Sequence, residues 1–196
     1  MTTIDHPGRV LLDRGGIDER VRRLGKEIAR DHPDGVVLII VLKGALVFAA
    51  DLARVIPEID VQIDFLSISR YAPDSGRVKI LHDLELDVAG RDLVLVEDLV
   101  DTGLTLAYLL EHLRSRGPRR VEVCTLFDRA ERRIVPIAPR YVGEELPGTS
   151  FVLGYGLHVE DRYRNLPFVI EGDPTVARGD PGAYLPWYDS LQGGVP

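Results

Sequence analysis

This sequence predicts an α/β fold with an open, mainly parallel sheet flanked by helices, on two observations. Apolar runs rich in β-branched residues, VVLIIVL from Val36 to Leu42 and LVLVED from Leu93 to Asp98, have the pattern of strands covered on both faces. They alternate over short links with segments of helical periodicity, the order that builds βαβ units. In such sheets ligands bind beyond the carboxyl ends of strands, which directs attention to the loops after Leu42, Asp98 and Phe127.

The elements follow in order. Ile17, Val21, Leu24 and Ile28 recur at helical spacing among charges, giving an amphipathic helix from Ile17 to Arg30, with Gly35 as its stop. After the Val36 to Leu42 strand and the LKGA segment, Leu46 to Val55 reads as a helix halted by Pro57. Val61 to Ile68 alternates as a strand. Tyr71 to Arg77, YAPDSGR, carries the residues of a mobile loop, and Val78 to Leu84 returns as the hairpin partner. The strand from Leu93 runs into DTGLT, and Leu104 to Arg114 is a helix ended by Gly117 and Pro118. Val121 to Phe127 is a further strand, with shorter ones near Tyr141 to Gly143 and Phe151 to Tyr155. Asp173 to Pro196, rich in Gly and Pro with Trp187 and Tyr188, reads as an irregular extension packed through its aromatics, or else disordered.

Composition narrows the classes. With 196 residues the chain fits one domain with a small appended lobe, and its core needs no cross-links. Its single cysteine, Cys124, sits in the apolar run VEVCTLF, so a disulfide within the chain is excluded and a buried thiol is expected. No run approaches a membrane span, and the start MTTIDHPGRV lacks the regions of a signal peptide, which makes the cytoplasm the expected compartment. A formal net charge of -7 argues against a nucleic-acid partner. It also means that an anionic substrate must be met by local donors and a metal, because the global field repels it.

The strongest motif is VLVEDLVDTGLTL, Val94 to Leu106. A strand delivers the adjacent acids Glu97 and Asp98, a loop adds Asp101, and Thr102, Gly103, Leu104 and Thr105 open a helix. Amides at a helix start point outward with the positive end of the dipole, and Thr hydroxyls add donors, so the loop suits a phosphate monoester. Gly103 permits close backbone approach. Asp101 and Thr102 also suit plain helix caps. Capping does not explain three acids crowded at one junction, where mutual repulsion needs a ligand or cation to offset it. Glu97 and Asp98, on opposite faces of the strand, could hold sugar hydroxyls or a metal.

Val94 to Leu106 closely resembles the phosphoribosyl-pyrophosphate signature of type I phosphoribosyltransferases. LKGA, Leu42 to Ala45, looks like the pyrophosphate loop of the hypoxanthine-guanine branch, and FVLGYGL followed by RYRNLP is similar to that branch's base pocket and closing segment. The likeness spans roughly Val10 to Gly172. It implies a Rossmann-like core with a small hood built from both chain ends, one domain over 1–172 with 173–196 as the extension, magnesium as cofactor, and a homodimer or homotetramer. By position it implies that Glu97 and Asp98 lie near the ribose hydroxyls and the metal. Asp101 to Thr105 surround the 5'-phosphate, and Lys43, Gly44 and Arg164 face pyrophosphate. The peptide between Leu42 and Lys43 can be cis in this family. Asp101 also matches the carboxylate beside N7 of the purine, where a group able to take the ring proton is needed. Phe151 matches the aromatic stacked on the base, and Val152 its backbone contact. Outside the family, Lys43 and Gly44 read equally as an ordinary turn, Arg164 as a surface side chain and Phe151 as core.

Three positions depart from the hypoxanthine-guanine pattern. Arg129 replaces the lysine that donates to the purine 6-oxo group, exchanging a compact ammonium for a planar fork. His158 stands where a magnesium-binding Asp is usual; imidazole is a poor ligand for this hard cation, unless Glu160 or Asp161 substitutes. Arg70 precedes Tyr71 where a Ser-Tyr pair is usual in the closing loop, and the loop is short. The implied activity is transfer of phosphoribose to hypoxanthine or guanine. Its rivals are a paralogue acting on another heterocycle, such as a deazapurine or a specialised nucleoside precursor, and a phosphoribosyl-pyrophosphate-sensing regulator that binds RNA or a protein.

Overall fold

Strands and helices alternate along the chain in the computed structural model, which describes residues 8–56, 59–69, 79–184 and 186–188. The elements are β1 (Arg9–Leu12), α1 (Arg14–Asp31), β2 (Val36–Leu42), α2 (Leu46–Arg54), β3 (Val61–Ile68), β4 (Ile80–His82), β5 (Asp92–Val100), α3 (Leu104–Arg114), β6 (Arg120–Asp128), a 3-10 turn (Ala130–Arg132), β7 (Tyr141–Glu145), β8 (Val152–Leu153), β9 (Val169–Glu171) and α4 (Pro174–Gly179).

They form two compact units. The larger, Asp18–Gly148, carries a six-stranded sheet in the order β4-β3-β2-β5-β6-β7. Every neighbouring pair is parallel except β3 with β4, which is antiparallel. An α/β fold with a mainly parallel open sheet is therefore what the sequence builds. Val36, Leu38 and Ile40 alternate with Val37, Ile39 and Val41 along β2, and all six are buried, as a strand covered on both faces requires. Val37, Ile39 and Val41 share one core with Leu93 and Leu95 of β5 and with Leu106, Leu109 and Leu113 of α3, an i, i+3, i+7 stripe.

The smaller unit comprises Met1–Ile17 and Thr149–Pro196. Its sheet has the order β1-β9-β8 and is antiparallel throughout. Leu153, Phe168, Ile170, Ala177 and Tyr184 form its core. No helix among the described residues is long and apolar enough to cross a membrane.

Several boundaries differ from expectation. β5 runs on to Val100 because Leu99 and Val100 pair with Phe127 and Asp128 of β6, so Glu97 and Asp98 lie inside the strand rather than at its last two positions. β8 is only two residues, since Gly154 turns the chain at φ 97°. The segment after Asp173 was expected to be irregular. Instead α4 begins there, with the Asp173 side chain accepting the Thr175 amide at 2.6 Å and Pro174 in the first turn.

Candidate active site

Three loops at the carboxyl ends of β2, β5 and β6 carry most of the candidate residues in the larger unit. After β2, the Leu42–Lys43 peptide is cis. Gly44 follows, and a Cβ there would lie 1.9 Å from Asp98 Oδ2, so only glycine lets the β2 loop pass beneath that carboxylate. Asp98 Oδ1 accepts its neighbour's amide, Leu99, at 2.9 Å. Lys43 is exposed.

Glu97 and Asp98 are consecutive on β5 and project to opposite faces. Loss of hydration, and then the Asp98 charge, push the Glu97 carboxyl well above the usual carboxylate range. The donors here are hard carboxylate oxygens. Among the described residues no group of three or more His, Cys, Asp or Glu side chains is placed to hold a metal ion. Carboxylate oxygens of this kind fit magnesium, which is held through one or two carboxylates with the rest of its shell from substrate and water.

The loop from Asp101 to Thr105 leads into α3. Gly103 is its N-cap at φ 83°, a left-handed conformation that glycine adopts without penalty, and no side chain caps the helix. Asp101 and Thr102 therefore do not cap α3 in the ordinary sense; the Leu104 amide reaches Thr102 Oγ1 only at 3.4 Å. The first-turn amides remain directed away from the helix.

Two arginines flank the Asp101 carboxylate. Arg129 Nη1 lies 3.9 Å from Oδ2, and Arg132 Nε lies 2.9 Å from Oδ1 as a charge contact without hydrogen-bond geometry. Arg129 is buried, and burial lowers its pKa from the ordinary guanidinium value while Asp101 opposes the shift. The structure thus brings Arg129 and Asp101 together. Arg132 and Arg133 were missed; their signal was the repeated arginine in DRAERR, which periodicity alone assigns to surface.

In the smaller unit Phe151 is half-buried against the core, and Val152 is buried. Arg164 is held at both ends of its guanidinium. Its Nη2 meets Asp161 Oδ1 at 2.8 Å, and its Nη1 donates to the Gly156 carbonyl, while the Gly156 amide donates to the Arg164 carbonyl at 2.9 Å. His158 Nδ1 accepts the Asp161 amide at 3.0 Å, which leaves the ring proton of a neutral His158 on Nε2. Tyr155, Glu160, Asp161 and Tyr163 all have positive φ without being glycine, a concentration of costly backbone around these two side chains. Arg70 and Tyr71 lie outside the described residues.

Residues 11–161 match the phosphoribosyl transferase domain, and the chain belongs to that family. It is 43% identical over 177 residues to a hypoxanthine-guanine phosphoribosyltransferase of Mycobacterium avium, covering 85% of this chain and 86% of that one. To the enzyme of the same name from Bacillus subtilis it is 42% identical over 172 residues, covering 86% and 94%. Among solved structures, a hypoxanthine-guanine phosphoribosyltransferase from Bacillus anthracis superposes with a TM-score of 0.81 at 40% identity, covering 86% of this chain and all of that one. A Trypanosoma cruzi hypoxanthine phosphoribosyl transferase, studied for the role of its C-terminal region on oligomeric state and enzymatic activity, gives 0.82 at 33% identity, covering 91% and 98%.

Proposed function

We infer that this chain transfers phosphoribose from 5-phosphoribosyl-1-pyrophosphate to N9 of a 6-oxopurine, hypoxanthine or guanine, giving IMP or GMP and pyrophosphate. The observation that carries the reading is a carboxylate, Asp101, at the mouth of an uncapped helix N-terminus and flanked by Arg129 and Arg132. The amides from Thr102 to Thr105 would hold the 5'-phosphate, with the Thr hydroxyls adding donors. Glu97 and Asp98 would receive the ribose hydroxyls and magnesium, which when bound offsets the charge of the departing pyrophosphate. Lys43, the Gly44 amide and Arg164 would face that leaving group as cationic or dipolar donors. As N9 bonds to the anomeric carbon and the bond to pyrophosphate breaks, the ring sheds a proton that Asp101 accepts. Phe151 would offer an aromatic face to the purine and Val152 its backbone groups. In this reading His158 offers an N–H donor rather than a metal ligand, and the smaller unit serves as the hood.

One observation favours a second reading, a paralogue acting on another heterocycle. Arg129, buried 3.9 Å from Asp101, presents two parallel donors where the family pattern has one compact ammonium. Incubation with the donor, magnesium and a panel of bases, following pyrophosphate release, separates the two. Turnover of hypoxanthine or guanine at ordinary enzyme rates supports 6-oxopurine transfer, and release with only an unusual base refutes it. The family resemblance is the ground for proposing assembly into a homodimer or homotetramer.

A further inference from the structure

The 101–105 loop owes its shape to a segment that follows β6. Arg133 extends back to it: one guanidinium nitrogen donates to the Asp101 carbonyl and another to Asp128 Oδ1 at the end of β6. The Arg133 and Asp128 side chains are 11% and 10% exposed, so this fork is fixed on a buried anchor. From the next two residues, the amides of Ile134 and Val135 both donate to the Thr102 carbonyl, at 2.9 and 3.2 Å. Gly103 rests on the same segment; a Cβ there would meet Arg133 Cδ at 3.0 Å and the Val135 carbonyl at 3.1 Å.

A trans peptide points its N–H opposite to its C=O. Tying the Asp101 carbonyl to Arg133 therefore turns the Thr102 amide the other way, and tying the Thr102 carbonyl to Ile134 and Val135 does the same for the Gly103 amide. The two amides that precede α3 are aimed by groups lying behind the loop. A carbonyl facing the other way would put partial negative charge where an anion is to sit.

We propose that Arg133 is a positioning residue for the sugar 5'-phosphate: it touches no substrate, and fixes the amide cradle by holding the Asp101 carbonyl against Asp128. The inference rests on the phosphoribosyl-transfer reading of the 101–105 loop and adds to it a side chain outside that motif. It separates the two anionic ends of the donor, since the pyrophosphate end is assigned to Lys43, Gly44 and Arg164.

The test is Arg133→Lys, whose ammonium keeps the charge beside Asp128 but cannot bridge two acceptors as a fork does. Calorimetry would measure ribose 5-phosphate binding, and pyrophosphate binding with magnesium, on wild type and variant. Loss of one charged hydrogen bond predicts that ribose 5-phosphate binds about 10- to 100-fold more weakly, while pyrophosphate changes by less than about twofold. The KM for the donor should rise by the same factor, with kcat at saturating donor and the KM for the base little changed. Equal weakening of both ligands would show a merely structural role and overturn the proposal, as would unchanged binding of ribose 5-phosphate. If the wild-type protein bound neither compound, the phosphoribosyl-transfer reading itself would fall. Should Arg133→Lys not fold, Asp128→Asn loosens the same fork from its other end and is expected to shift the same ligand in the same direction.

Discussion

Asp101 gathers more of the site's chemistry than any other side chain. Its carboxylate lies between the guanidinium groups of Arg129 and Arg132, where it can be held in place to meet the incoming base. Replacing it with Asn keeps size and polarity but removes the lone pair that takes the proton. Turnover by Asp101→Asn should fall by about 100- to 10,000-fold, the span of general-base contributions, with donor affinity little altered. Steady-state kinetics alongside calorimetric donor binding checks this; full turnover would remove Asp101 from the role. At this scale the sequence singled out Asp101, Gly103 and Arg129, where chemistry and motif coincide. It was silent on Arg132 and Arg133, because an arginine that reaches back to a loop carboxylate or carbonyl has the same local signature as one in water.

Among the elements, two with strong local patterns were legible to the residue, whereas α1, expected from Ile17 to Arg30, spans Arg14–Asp31. β2 and α3 have the expected bounds, since a doubly covered strand and a leucine stripe advertise themselves locally. β1 and β9 were not legible: they are four and three residues long, and Arg9 meets Glu171 across most of the chain, so neither carries its partner in its own neighbourhood. The helix α4 was not legible for a related reason, its six residues being too few to carry a periodicity of their own. Tyr184 is fully buried and its hydroxyl meets both the amide and the carbonyl of Asp173. Tyr163, next to Arg164, has its hydroxyl within 3.1 to 3.3 Å of the carbonyls of Ala177, Asp180 and Pro181, and meets the Tyr184 ring edge-on at 5.7 Å. Tyr163→Phe leaves those carbonyls without this donor and should cost about 1 to 2 kcal/mol, read as a lowered midpoint in urea unfolding. An unchanged midpoint would show that the tail does not depend on that hydroxyl.

Across the whole molecule, a charged network occupies the end of the large sheet opposite the candidate site. His32, buried, meets Asp92 Oδ2 at 3.0 Å and Glu122 Oε2 at 3.1 Å, and the Tyr141 hydroxyl donates to Glu122 at 2.8 Å. Arg119, then His32 and Arg120, hold the Asp92 carboxyl well below the usual carboxylate range against the opposing effect of burial. A folded-state pKa below the unfolded value, near 4 for Asp, means stability fully present at neutral pH and lost as pH falls below about 4. Asp92→Asn should lower the melting temperature at pH 7 and flatten its decline between about pH 4 and 2. Thermal unfolding across that range decides it; parallel curves for variant and wild type would discount Asp92. β5 alone links Asp92 to Asp101, and its nine residues extend roughly 30 Å at about 3.3 Å each. Groups that far apart titrate almost independently through a screened, hydrated protein. Acid tolerance can therefore be engineered at one edge of the molecule while the pH optimum of turnover is left to the other.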